Sequence, residues 1–247
     1  MSVHLHLLAA TAARVLRQAR HDRRTLAIVL LVPLVLSFLL SEMFDENAEL
    51  LDRVLLQMLA VMPLILMFLL AAVGMVRERT SGTLERLMTT PAGQVDVILG
   101  YAAAFGLLAL VQVAVATLFS YFVLDMEVAG SLWLVLLTAV FGGLLGVSMG
   151  LLAASVSHGE FQAAQLMPAT TIPQIVLCGL FGPRDQMADW LYWLSSAFPL
   201  TYVVEALEEV GRYAEPTSWY WISLGISVAF VLALLILASA KLRRRTD

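Results

Sequence analysis

Residues 131–155 read SLWLVLLTAVFGGLLGVSMGLLAAS, a stretch with no Asp, Glu, Lys, Arg or His. Crossing about 30 Å of hydrocarbon takes about 20 apolar residues in a helix, so this run is long enough to span a bilayer. Five further runs share the property, at approximately 25–41, 54–76, 97–124, 161–182 and 218–240. In lipid every backbone polar group must be satisfied within the protein, and a helix does this segment by segment. The pattern therefore predicts an all-α integral membrane protein with six transmembrane helices. Composition agrees: 60% of the 247 residues are hydrophobic and 14% charged, against roughly 45–50% apolar in a soluble domain. Disorder or a coiled coil needs more charge or a sustained heptad, and the length allows a single membrane domain over 1–247. One cysteine, Cys178, excludes a disulfide framework or a cysteine cluster within one chain. The first run follows basic residues as a signal peptide does, but acidic residues 41–52 replace a cleavage site, so it is expected to be retained.

Lys and Arg are held on the cytoplasmic side of membranes. Placing both termini inside puts twelve of the fifteen there and leaves Arg53, Arg184 and Arg212 outside. The inner face then carries about +6 and the outer about −10, within a net charge of −4. A basic inner face suits anionic lipid headgroups, and no motif supports binding of nucleic acid.

Between the runs, three segments are patterned. Over 5–24, Leu5, Leu8, Ala12, Val15, Leu16 and Ala19 fall at helical spacing with Arg14, Arg17 and Arg20 on another side, which predicts an amphipathic interfacial helix. A solvated basic leader that only sets topology is the alternative. The loop 77–94 reads RERTSGTLERLMTTPAGQ. Ser81 is a candidate N-cap, Leu84, Leu87 and Met88 form an apolar stripe, and Pro91 stops a short cytoplasmic helix. So short a helix needs something to pack against, either the membrane surface or a groove in a soluble partner. The outer segment 183–217 carries Trp190, Tyr192 and Trp193, a headgroup-level cluster. It continues with Leu200, Val203, Val204, Leu207 and Val210 on one helical face and Gly211 placed to end it. A helical hairpin re-entering the outer leaflet is expected, followed by Trp219, Tyr220 and Trp221 as an aromatic anchor for the last span.

Within the spans, Gln57, Gln112, Gln165 and Gln174 are the large polar residues, better suited to bridging helices than to carrying charge. Gly142, Gly146 and Gly150 share one face, where two backbones can approach, within the chain or between chains. Pro168 and Pro173 break the fifth span, which suggests that it lines a pathway. Catalysis has no candidate residues. The only lysine, Lys241, is followed by Leu242, so there is no phosphate-binding G-x-x-x-x-G-K-[ST] loop. The histidines His4, His6, His21 and His158 are scattered, no metal site is expected, and G-x-S-x-G is absent. Uphill movement would need energy from another protein.

Arg77-Glu78-Arg79, Gly82-Thr83-Leu84-Glu85-Arg86-Leu87, Thr90-Pro91 and Gly100 resemble the signature of type-2 ATP-binding-cassette (ABC) exporter permeases, the class of the daunorubicin and multidrug efflux permeases. The match continues in Glu160-Phe161-Gln162-Ala163-Ala164-Gln165, Gly179, Phe198-Pro199-Leu200-Thr201-Tyr202 and Glu205-Ala206. The resemblance implies a multi-pass half-transporter of the bacterial plasma membrane that pairs with a second permease, itself or a relative. Two cytosolic ATPase subunits would bind ATP and Mg, with no cofactor on this chain. Residues 77–91 would be the coupling helix, with Arg77, Glu78, Gly82, Thr83, Leu84, Glu85, Arg86 and Leu87 facing the ATPase. The 5–24 helix would be a connecting helix beside it. The resemblance also places Gln57, Met58, Met62, Gln165, Met167 and Gln174 near the substrate path. The function expected is ATP-driven export of an amphiphilic or hydrophobic compound, such as a drug, lipid or lipid-linked molecule. A membrane anchor or assembly factor that docks a soluble protein without transport fits the charge-free spans equally well.

Overall fold

The computed structural model describes residues 5–44, 47–81, 93–182 and 184–241. Among these residues there are nine α-helices and no strand. They are α1 (Leu5–His21), α2 (Arg23–Met43), α3 (Ala48–Thr80), α4 (Gln94–Phe122), α5 (Leu132–Val156), α6 (Glu160–Leu177), α7 (Asp189–Ser195), α8 (Pro199–Arg212) and α9 (Ser218–Lys241). Five of them, α2, α3, α4, α5 and α9, are long and apolar enough to cross a membrane. The fifth predicted span, 161–182, is the exception. Its helix α6 has 18 residues, holds Pro168 and Pro173, and ends at Leu177. At 1.5 Å per residue it is about 27 Å long, slightly less than the hydrocarbon thickness of about 30 Å.

α3 and α5 form the centre of the bundle. The reason lies in the glycine face: a Cβ on Gly142 would stand 3.0 Å from the Ala60 carbonyl oxygen, and one on Gly146 or Gly150 would be driven into the Leu64 and Phe68 carbonyls. Ala60, Leu64 and Phe68 repeat with the same four-residue step as the glycines, so the two helices touch backbone to backbone for two turns. Of the two expectations for this face, the described structure uses contact within the chain. α4 and α9 flank α5, α6 lies along α3, and α1 lies against α4. Thr11 of α1 fills the space over Gly100, where a Cβ would come within 2.7 Å of the Thr11 Cβ.

α3 has 33 residues and measures about 50 Å, so it outreaches the hydrocarbon core and its charged ends stand at or beyond the headgroups. At the far end of the bundle from α1, α8 buries Leu200, Val203, Val204, Leu207 and Val210, the face expected from the sequence. It packs against α3, α5 and α9. Trp190 and Trp193 on α7 and Trp219 and Trp221 on α9 are exposed. Tyr220 departs from the aromatic anchor expected of it: it is fully buried and its hydroxyl lies 3.1 Å from Thr138 Oγ1 of α5.

Candidate functional site

The last turn of α3 is where the structure concentrates specific contacts between helices. The helix continues through Arg77–Thr80, residues read from sequence as the start of a loop, and the Ser81 N–H closes it onto the Arg77 carbonyl at 3.0 Å. Ser81 thus caps the end of the long helix. Three successive side chains leave this turn in three directions, as a 100° step per residue requires.

Arg77 reaches α6, donating from Nε and Nη2 to the two Glu160 carboxylate oxygens, both at 3.2 Å. Glu160 sits in the first turn of α6, where a carboxylate is also favoured by the exposed N–H groups. Glu78 reaches α1: Arg14 Nη1 donates to its Oε2 at 2.7 Å and Gln18 Nε2 to its Oε1 at 2.9 Å. Arg14 also donates to the Tyr101 hydroxyl of α4 at 3.1 Å. Desolvation opposes the charge on Arg14, but the Glu78 hydrogen bond and the neighbouring Tyr101 and Glu78 outweigh it and hold its pKa above the usual arginine value. Arg79 reaches the end of α5, donating to the carbonyls of Ala154 at 3.2 Å and Ser155 at 3.5 Å and to that of Ser157. Terminal carbonyls lack helical partners and favour a cation there. One helical turn therefore ties α3 to α1, α5 and α6, and through Arg14 of α1 to α4.

This turn leads directly into 82–92. Gly82, Thr83, Leu84, Glu85, Arg86 and Leu87 lie outside the described residues, and so does the short helix expected there. α4 resumes the chain with the Gly93 N–H donating to Asp96 Oδ2 at 3.0 Å. The sequence singled out Arg77 and Glu78 but gave Arg14 only a place on the polar side of α1. Its partner is 64 residues away, beyond any spacing rule.

The residues assigned to a substrate path do not converge. Gln57 is buried, its Nε2 donating to Glu208 Oε1 at 2.7 Å and to the Gly179 carbonyl at 3.4 Å, while its Oε1 has no partner among the described residues. Gln174 is buried too, donating to the Thr170 carbonyl at 2.9 Å and accepting from the Leu200 N–H at 3.4 Å. Both bridge segments, as large polar residues within spans were expected to do. Met58 and Met62 pack at the α8 end of the core, while Met167 packs with the cluster at the α1 end. Gln165 is exposed on α6. Gln112 is buried and neither of its side-chain polar atoms has a partner among the described residues.

A second ionic group holds the α8 end. Arg53 of α3 donates to Glu208 at 3.2 Å and to the Gly179 carbonyl at 3.3 Å. Gly179 has φ +103°, a conformation open to glycine, which turns this carbonyl toward α3. Arg184 pairs with Glu205, donates to Ser195 Oγ at 2.7 Å, and lies 4.8 Å from the Tyr192 ring. Burial pushes its pKa below the usual arginine value. Nearby, Glu49, Asp52, Asp125 and Glu127 border a cleft of about 1080 Å³. The sequence marked Arg53 and Arg184 only as cations on the outer side, and their partners had no local signal.

Residues 6–210 match the family described as ABC-2 type transporter. Among similar proteins, "ABC transporter G family member 20" of Dictyostelium discoideum is 24% identical over 67% of this chain and 23% of its own length. "Probable multidrug ABC transporter permease YbhR" of Escherichia coli (strain K12) is 25% identical over 68% of this chain and 45% of its own length. "Probable multidrug ABC transporter permease YbhS" of the same organism is 26% identical over 58% of the chain and 38% of its own length. The chain spans less than half of each of these relatives. Five long apolar helices, two of them joined along the glycine face of α5, together with a family match over most of the sequence, make this a multi-pass membrane protein that belongs to the ABC-2 type transporter family.

Proposed function

We propose that the chain is the permease subunit of an ATP-driven exporter that moves an amphiphilic or hydrophobic compound out of the cytoplasm. In this account it crosses a bacterial plasma membrane six times with both termini inside, and the 183–217 hairpin faces outward. It pairs with a second permease and takes its energy from a separate cytosolic ATPase that binds ATP and Mg. The observation that carries the reading is the last turn of α3. The segment 82–92 joins this turn to the start of α4, and from the turn Arg77, Glu78 and Arg79 connect to α6, α1 and α5. These side chains thus act as transmitters, while the contact with the ATPase falls to Gly82–Leu87. Family membership and the names of the E. coli relatives support the choice of a multidrug-type cargo.

ATP shifts such a permease only if its binding favours one conformation over another. A stiff ionic joint between the coupling segment and several helices is one way to make an ATPase closure and a permease rearrangement a single event. The test is reconstitution of the permease with its ATPase in vesicles loaded with a fluorescent amphiphile. Glu85→Ala should leave membrane insertion and basal ATP hydrolysis intact and remove ATP-dependent flux. Unaltered flux in that variant would overturn the role of the loop. Tight ATPase binding by the wild type without any flux would favour the membrane anchor instead.

A further inference from the structure

A groove of about 560 Å³ runs between α2 and the α3–α4 pair and is closed at one end by α1. Its depth is apolar, with Leu66, Leu70 and Val73 from α3, Phe105 from α4 and Val29 from α2. Its mouth is polar, at Gln18, Asp22, Thr25 and Arg77. From Leu66 to Arg77 is about 17 Å along the α3 axis, close to one leaflet's share, about 15 Å, of the hydrocarbon core. We propose that this groove is a lipid site that holds one acyl chain of an anionic glycerophospholipid from the leaflet in which α1 lies, with its headgroup phosphate at the α1–α2 corner.

Three features select this occupant. A helix from a partner protein would cross both leaflets, whereas this groove stops after one and α1 lies across its end. The α1–α2 junction on either side of Asp22 carries exposed Arg17, Arg20, Arg23 and Arg24, which do not line the groove but form beside it a cluster suited to an anionic headgroup. The acids at the mouth do not cancel it, because Glu78 is already paired with Arg14 at 2.7 Å, and Asp22 is a single carboxylate among four exposed arginines. The inference rests on α1 lying at a headgroup plane, not on export. Cysteine accessibility along α1 tests that placement separately.

The experiment is native mass spectrometry of the purified chain, taken from nonionic detergent after incubation with vesicles of equal parts phosphatidylglycerol and phosphatidylcholine. The wild type is expected to retain phosphatidylglycerol in preference to phosphatidylcholine. Val73→Trp, which fills the groove, should lose most of the bound lipid. Arg23→Ala with Arg24→Ala leaves the groove intact and should lower the preference for phosphatidylglycerol by about fivefold or more. That double variant alters exposed side chains, so it decides the matter even if the tryptophan variant does not fold. Equal retention of the two lipids by the wild type would overturn the anionic headgroup. Lipid retention unchanged by Val73→Trp, or an adduct at this site that is not a glycerophospholipid, would overturn the site.

Discussion

α2 and α5 are equally good membrane helices by composition, with peak mean hydropathy of 2.4 and 2.2, yet 61% of the most apolar stretch of α5 is buried and only 17% of that of α2. Apolar surface drives neither of them against another helix in lipid, since acyl chains are as apolar as leucine. Close approach decides it. α5 presents Gly142, Gly146 and Gly150 to α3, whereas α2 has no glycine and buries only Val29, Pro33 and Ser37. The centre of the molecule is thus a fixed backbone seam, and α2 is a peripheral helix with exposed apolar sides.

The most severe way to break this contrast is Gly146→Val. The Leu64 backbone occupies the space its side chain needs, so a loss of about 3 kcal/mol or more is expected, read as a collapse of the folded peak in size-exclusion chromatography. Gly225, with open space around it, should accept alanine with little change. Leu145→Ala in α5 should cost about 2–5 kcal/mol in thermal unfolding, because Leu145 is fully buried. Leu31→Ala in α2, at 55% exposure, should stay within about 0.5 kcal/mol.

The turn at the end of α3 allows a finer comparison between neighbours. Glu78→Ala strands a partly buried Arg14, so about 1.5–3 kcal/mol is expected. Arg77→Gln breaks a pair whose side chains are 67% and 41% exposed, and about 0–1 kcal/mol follows. Both are measured by urea or thermal unfolding in the same detergent, and equal costs would mean that α1 and α6 are held alike. The smallest effect lies at the α1–α2 corner. Asp22 caps α2, and its hydrogen bonds from the Thr25 side chain and backbone hold its pKa below the ordinary carboxylate value, which is about 3.9. The cap is therefore fully present above that value and lost as pH falls through the lower, folded one. Amide exchange at Thr25 should stay protected at pH 5 and open only below about pH 4.

Much of the architecture is legible in the residue order. Charge-free runs give five helices of membrane-crossing length, the apolar stripe of α8 is buried as spaced, and the glycine face finds a backbone. What local pattern cannot carry is pairing across the chain. Glu78 finds Arg14 and Gln18, Arg77 finds Glu160, and Gln57 finds Glu208, with 60 to 151 residues between partners. Tyr220 looked like an interfacial anchor because its neighbours Trp219 and Trp221 are. Helical geometry turns it 100° from each, onto Thr138. Of the four glutamines in the predicted spans, Gln57 and Gln174 bridge segments, whereas Gln112 is buried without a partner among the described residues and Gln165 is exposed.

Under the proposed function, energy would enter this chain through residues 82–91 and pass into the bundle at the end of α3. The most direct test of that route is the amount of cargo moved per ATP hydrolysed in vesicles holding the permease and its ATPase. The comparison is between wild type and Glu78→Ala, with the ATPase bound equally in both. The account predicts continued hydrolysis with cargo per ATP sharply reduced. An unchanged ratio, with Glu78 removed and the ATPase still seated, would contradict it.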